Sequence, residues 1–236
     1  MKTFLFDLDG TLLPMDQEVF IKKYFSEIAK VCAPLGYEAK ALMNTIWEGT
    51  LSMISNDGTT TNRQRFWDTF ARLFGEHARK SEKHFDKFYE NEFNNVKETT
   101  SPTPLAGECV RILKEKGYRL ILATNPIFPK AATLSRVRWA GLNPEDFELI
   151  TTYENSTYCK PSLDYYKEIL EKSNVQASEC IMVGNDVKED MCVSQLGMDT
   201  FLLKDYIINE KQEDISKYRQ GFMKDLYEFL DDLPSL

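Results

Sequence analysis

The sequence predicts an α/β fold: a doubly wound parallel sheet interrupted by one all-helical insertion. Three observations lead there. Short apolar runs alternate with amphipathic helical periods, one long helical stretch breaks that alternation after the first run, and three of the runs end in polar residues. At 236 residues, 42% apolar and 28% charged, the chain can build one domain with an insertion or two small domains.

The first strand is Thr3 to Phe6, stopped by Asp7. The next strand signal is more than a hundred residues away, and the pattern between is helical: Val19 to Cys32, Glu38 to Leu51, Asn62 to Leu73 and Glu82 to Phe93. The run Ser55-Asn56-Asp57-Gly58-Thr59-Thr60 separates the second and third helices as a loop. Linkers near Leu13 to Gln17 and Glu98 to Pro104 bound the insertion, giving a core of residues 1–15 and 99–236 and a helical domain of residues 16–98.

From Pro104 the alternation resumes. A helix over Pro104 to Lys116 carries Leu105, Cys109, Ile112 and Leu113 on one face and stops at Gly117. A strand at Arg119 to Ala123 follows, then a helix over Ala131 to Trp139 closed by Gly141, and a strand at Glu148 to Thr151. Ser162 to Lys172 is helical, Cys180 to Val183 a strand, Lys188 to Leu196 a helix closed by Gly197, and Thr200 to Leu203 the last strand. Met223 to Leu233 reads as an amphipathic helix docking on the sheet. This order is Rossmann-like.

A formal charge of −8 argues against a nucleic-acid footprint, and no window reaches the ~20 apolar residues of a membrane span. The N-terminal apolar run is too short for a signal peptide, so the expected address is cytoplasmic. Five cysteines without a CxxC pair read as free thiols, with Cys159 a small loop residue, and His77 and His84 read as a solvated helix face. The oligomeric state is left open by the sequence.

Asp7 ends the first strand, Thr124-Asn125 the second, and Asn185-Asp186 the fourth, while Lys160-Pro161 follows the third by a short loop. Parallel strands bring such ends to one edge of the sheet, where open α/β folds bind ligands. With Asp9, the set holds three carboxylates, a hydroxyl, an amide and an ammonium. Those groups suit Mg²⁺ shared with a phosphoryl group, since Mg²⁺ takes hard oxygen ligands.

DLDGT after one strand, TN after a second, KP after a third and GNDVKED after a fourth resemble motifs I to IV of the haloacid dehalogenase-like (HAD) hydrolase superfamily. The match spans the chain in the right order, with the insertion where that family carries a C1-type helical cap. The resemblance implies a Mg²⁺-dependent phosphomonoester hydrolase acting on a small phosphorylated metabolite. Asp7 would be the nucleophile that forms an aspartyl-phosphate, and Asp9 the general acid and then base. Asp7, the carbonyl of Asp9 and Asp186 would bind Mg²⁺. Thr124 and the backbone N–H of Asn125 would hold phosphoryl oxygens, and Lys160 would balance charge. Gly10 would allow close backbone approach, and Thr11 would position Asp9.

The fourth motif departs from the family pattern, because Asn185 stands directly after Gly184. The D-x-x-x-D spacing from Asp186 to Asp190 assigns Asp186 to the metal and Asp190 to a supporting role. A register fixed by Gly184 would instead turn Asn185 to the metal. Two rival readings are a phosphosugar mutase of the same superfamily and a non-catalytic phosphate or metal sensor. The helical insertion is rich in aromatics (Tyr24, Phe25, Trp47, Phe66, Trp67, Phe70, Phe74, Phe85, Phe88, Tyr89), whose helical spacing reads as core. Asp16, Gln17, Arg63 and Arg65 are the candidates for leaving-group recognition.

Overall fold

Six strands form one sheet in the order β3-β2-β1-β4-β5-β6, every neighbouring pair parallel, in the computed structural model, which describes residues 2–236. They are β1 (Thr3–Phe6), β2 (Arg119–Leu122), β3 (Leu149–Ile150), β4 (Cys180–Gly184), β5 (Asp199–Leu203) and β6 (Arg219–Gly221). The first five fall on the predicted apolar runs. The sixth reads Arg-Gln-Gly and carries no apolar signal, because an edge strand need bury little.

β1 is central and buried throughout because both of its neighbours and both of its faces are covered. Phe4 and Phe6 point to the face packed by α5 (Pro104–Glu115) and α8 (Met223–Asp231), meeting Cys109, Leu113, Leu226 and Leu230. Leu5 points to the other face, against Tyr165, Tyr166 and Ile169 of α7 (Leu163–Ser173). The period of two along the strand thus sorts its side chains into two cores. α6 (Lys130–Trp139) connects β2 to β3.

Between β1 and α5 stand α1 (Gln17–Cys32), α2 (Ala39–Ile54), α3 (Asn62–Phe74) and α4 (Glu82–Glu90). The starts of α1, α2 and α3 are capped locally. Asp16 accepts from the N–H groups of Glu18 and Val19, and the Thr61 hydroxyl from that of Gln64. The helix predicted to run to Phe93 stops at Glu90. There Asn91 leaves helical geometry, its side-chain amide donating to the Lys87 carbonyl at 2.7 Å, and 3₁₀ turns carry the chain over Glu92–Thr99. The two linkers run side by side, Met15 bridging Thr100 and the Ser101 N–H donating to the Pro14 carbonyl at 2.8 Å.

The helix predicted over Lys188 to Leu196 is also shorter than expected. Residues 186–190 form a turn, and only Met191–Leu196 coils, as 3₁₀. The cause is local: Asp186 Oδ1 accepts from the N–H groups of Lys188 and Glu189 at 2.8 and 2.9 Å, which holds the turn instead of a helix. All five cysteines are free.

Candidate active site

In the sheet register Phe6 lies between Leu122 and Val183, so Asp7, Ala123 and Gly184 share the next row and Thr124 and Asn185 follow. The sequence-predicted residues therefore converge at the carboxyl edge around the central strand. One cavity of about 220 Å³ opens there, touching Asp7, Asp9, Thr124, Asn125, Asn185 and Asp186.

Lys160 is the hub. It is 1% exposed, and its Nζ donates to Asp7 Oδ1 at 2.7 Å and to Asp190 Oδ1 at 2.6 Å. Burial works against the ammonium, but Asp190 and Asp7 outweigh it and hold its pKa well above the ordinary lysine value. Asp190 Oδ2 accepts from the Asp186 N–H at 3.0 Å, so one buried carboxylate joins the lysine to the turn that follows β4. Gly184 is required beneath it: a Cβ there would come within 2.6 Å of the Asp190 Cβ.

Asp9 is held by a residue that sequence reasoning missed. Arg136 of α6, 1% exposed, forms an ion pair with Asp9 Oδ2 and lies 4.4 Å from the Phe128 ring centroid. Asp9 Oδ1 is buried with no hydrogen-bond partner. Burial raises the Asp9 pKa, Arg136 opposes that, and Asp7 adds to it. Arg136 gave no signal in the sequence because it sits in a basic stretch, Arg-Val-Arg, that reads as a solvated helix end.

Asn185 and Asp186 have different surroundings. Asn185 is 2% exposed, its Oδ1 accepting from the Thr11 hydroxyl at 2.9 Å and its Nδ2 donating to the Tyr206 carbonyl at 2.7 Å. Thr11 was expected to position Asp9; its hydroxyl instead fixes Asn185. Gly10 adopts φ +85°, and a Cβ there would come within 2.5 Å of Asn185 Nδ2, so only glycine suits this packing. Asp186 is half-buried, with Oδ1 bonded to the turn and Oδ2 making no hydrogen bond.

Asn125 donates its amide to Glu189, a second residue not anticipated, at 3.1 and 3.2 Å. Burial pushes the carboxyl of Glu189 up to about 7 and raises those of Asp190 and Asp186, with Lys160 or backbone N–H groups opposing. Around this end of the cavity five carboxyl groups (Asp7, Asp9, Asp186, Glu189, Asp190) thus face two cations, Lys160 and Arg136. Among the described residues no group of three or more His, Cys, Asp or Glu side chains is set to hold a metal ion. A site made from Asp7, Asp186 and the Asp9 carbonyl uses only two carboxylates. Its hard oxygens and the surplus of negative charge fit Mg²⁺.

The leaving-group candidates fare differently. Arg63 pairs with Glu82 at 2.7 Å, Arg65 with Asp57 at 2.6 Å, and Asp16 is spent on its cap; of the four, Gln17 alone lines the cavity. The aromatics are not simply core. Phe70, Phe74 and Phe88 pack away from the cavity, while the other seven named above line it. Their spacing announces burial, which a cavity wall satisfies as well as a packed neighbour does. Cys159 is 1% exposed and burial raises its thiol pKa far out of the reactive range, in keeping with a small loop residue. His77 and His84 are exposed, on the 3₁₀ turn and on α4 rather than on one helix.

α3 is fastened to the same edge. Asn62, 0% exposed, directs Nδ2 at the carbonyls of Pro126 and Tyr158 and at Cys159 Sγ, each at 3.2 Å, and accepts from Asn56 at 2.9 Å. Its backbone N–H and that of Arg63 donate to the carbonyls of Ser156 and Tyr153 at 2.9 and 2.8 Å.

The chain is thus an α/β core, a parallel sheet with a carboxylate at the end of its first strand and a lysine locked to it, with a helical layer between its first strand and the rest. A family profile for haloacid dehalogenase-like hydrolases matches residues 1–191, and the chain belongs to that family. It is a hydrolase with the HAD fold and a C1-type helical cap. Among solved structures it is similar to a HAD phosphatase from Thermococcus onnurineus (19% identity, TM-score 0.62, all of both chains covered). It is also similar to the HAD hydrolase YfnB of Bacillus subtilis in a magnesium-bound form (20%, 0.56, 98% of each chain). A third is the L-2-haloacid dehalogenase from Xanthobacter autotrophicus (15%, 0.58, 99% of each chain). No curated protein matches. No helix among the described residues is long and apolar enough to cross a membrane.

Proposed function

We propose that this chain is a Mg²⁺-dependent phosphomonoesterase that works through an aspartyl-phosphate on Asp7. The observation that carries the reading is the division of labour between two carboxyl groups. Asp7 has Lys160 on one oxygen, whereas Asp9 keeps a buried, unpartnered Oδ1 and a raised pKa on the same cavity.

The free oxygen of Asp7 attacks phosphorus in line, and the bond from phosphorus to the ester oxygen breaks. Asp9 gives its proton to the departing alkoxide. In the second half Asp9 takes a proton from water as that water attacks the aspartyl-phosphate, which releases inorganic phosphate and restores Asp7. Lys160 offsets charge on Asp7 throughout, while the Thr124 hydroxyl and the Asn125 N–H orient the phosphoryl oxygens. Asp7, Asp186 and the Asp9 carbonyl would hold Mg²⁺, which when bound supplies positive charge to the phosphoryl group. Halide release needs no proton donor, so a protonatable Asp9 favours phosphate esters over the dehalogenation named for one of the similar structures. On the cap side the cavity wall is mainly aromatic and aliphatic, with Gln17 and Thr50 the polar exceptions, so a sugar finds few hydroxyl partners there, which favours hydrolysis over phosphosugar transfer.

The helical cap, residues 16–98, would move on the paired linkers at Met15 and Thr100 to admit substrate and then shed water. The magnesium-bound YfnB structure is itself described in terms of interdomain movement. The test is rapid quenching with acetyl phosphate and Mg²⁺, followed by peptide mass mapping. A phosphoryl group on the peptide that contains Asp7, absent from Asp7→Asn, is the expected result. An active protein that never labels there would overturn the assignment.

A further inference from the structure

The cavity continues from the carboxylates into the helical cap, and its two ends differ in chemistry. The far end is walled by Phe25, Trp47, Phe66, Trp67, Phe85 and Tyr89. Among the described residues, no lysine, arginine or histidine lines it anywhere. The arginines nearest in sequence, Arg63 and Arg65, are committed to Glu82 and Asp57.

We infer, building on the phosphomonoesterase reading, that this pocket selects esters whose alcohol is an uncharged, apolar, ring-sized group. An anionic leaving group, such as one bearing a carboxylate or a second phosphate, would enter a space with no cation to meet it while five carboxyl groups stand at the other end. A cationic group has aromatic faces available, which is the usual argument for an ammonium ligand. Here, however, none of the lining carboxylates belongs to the cap, so no counter-charge at that end would meet it. Size points the same way: a cavity of about 150 Å³ accepts benzene, so 220 Å³ takes one ring with space left for a phosphoryl group. Ile21 of α1 and Trp47 of α2, both in the lining, are 41% and 52% exposed, so the part of the wall that reaches solvent there is apolar as well.

The experiment compares kcat/KM, with Mg²⁺, for benzyl phosphate, ethyl phosphate, 2-phosphoglycolate and phosphocholine. Benzyl and ethyl esters release alkoxides of similar basicity, so their ratio reports binding of the ring and not leaving-group acidity. Benzyl phosphate is expected to exceed ethyl phosphate by about 50-fold, the value of burying one ring, and to exceed both charged esters by at least as much. Trp47→Ala, at a half-exposed position, should narrow the benzyl-to-ethyl ratio at least fivefold through KM. Phosphoglycolate or phosphocholine matching benzyl phosphate would overturn the inference while leaving the phosphatase reading intact. Hydrolysis of none of the four, with no phosphoryl group trapped on Asp7, would overturn both.

Discussion

Arg136 binds one oxygen of Asp9 and leaves the other buried without a partner. A fully buried guanidinium 127 residues away in sequence therefore decides which edge of the carboxyl group meets the cavity, and how firmly the group keeps its proton.

Replacing Arg136 with methionine removes the larger of the two opposing charges and leaves only Lys160 against burial and Asp7, so the Asp9 pKa rises further. The acid form then persists to higher pH, and the basic limb of the kcat/KM profile should move upward. Breaking a buried pair from one side should also cost about 3 kcal/mol in chemical denaturation. Asp9→Asn added to the same chain should recover part of that loss, as expected of a coupled pair. A basic limb that stays where it was would show that Arg136 does not govern the Asp9 proton.

Asn185 and Asp186 should separate cleanly in calorimetric titration with Mg²⁺. Asp186→Asn, which keeps the Oδ1 acceptor for the turn and removes the charge, is expected to weaken binding at least tenfold with little effect on stability. Asn185→Ala removes the partners of Thr11 and of the Tyr206 carbonyl, so its effect should be a loss of about 1–3 kcal/mol in stability with Mg²⁺ affinity largely kept. The opposite pattern would turn Asn185 toward the metal.

A stability test lies far from the chemistry, at Glu27 of α1. It bonds Lys30 at 2.7 Å, Asn95 at 3.2 Å and Lys23 at 3.1 Å, and its pKa is lowered to about 2, first by Lys30 and then by Asn95 and Lys23, with burial opposing. A depressed carboxyl stabilises the fold above its unfolded value near 4.5 and loses that contribution as pH falls toward 2. Glu27→Gln should therefore cost about 1–2 kcal/mol at pH 7. Urea titrations of the two proteins should converge near pH 2, and a gap that is constant with pH would assign the effect to packing.

Much of this architecture is legible in the residues. The strand ends that carry Asp7, Thr124 and Asn185 are recognisable because a buried parallel strand reads as an unbroken apolar run, and a polar residue marks where it surfaces. Lys160 is legible only as a member of that series, since nothing local separates a buried lysine from a solvated one. Arg136 and Glu189 are not legible at all: Arg136 is buried and Glu189 half-buried by elements that meet only in the folded chain. The same limit explains Phe66 and Trp67, whose periodicity says that they face inward but not whether protein or open space lies opposite. β6 is hidden for the reverse reason, because a polar edge strand is held by backbone pairing to β5, to which any sequence contributes.

The fastening of Asn62 has a thermodynamic corollary. Its amide spans the carbonyl next to Asn125 and the two residues that lead into Lys160, so the first turn of α3 touches both loops expected to grip a phosphoryl group. Lifting α3 from the sheet strips those partners away and frees the loops at once. With the cap moving and a phosphoryl group seated between Lys160 and Asn125 as proposed, the two events would be linked equilibria, and linkage is reciprocal: whatever factor a docked α3 added to anion affinity, a bound anion would add to the docking of α3.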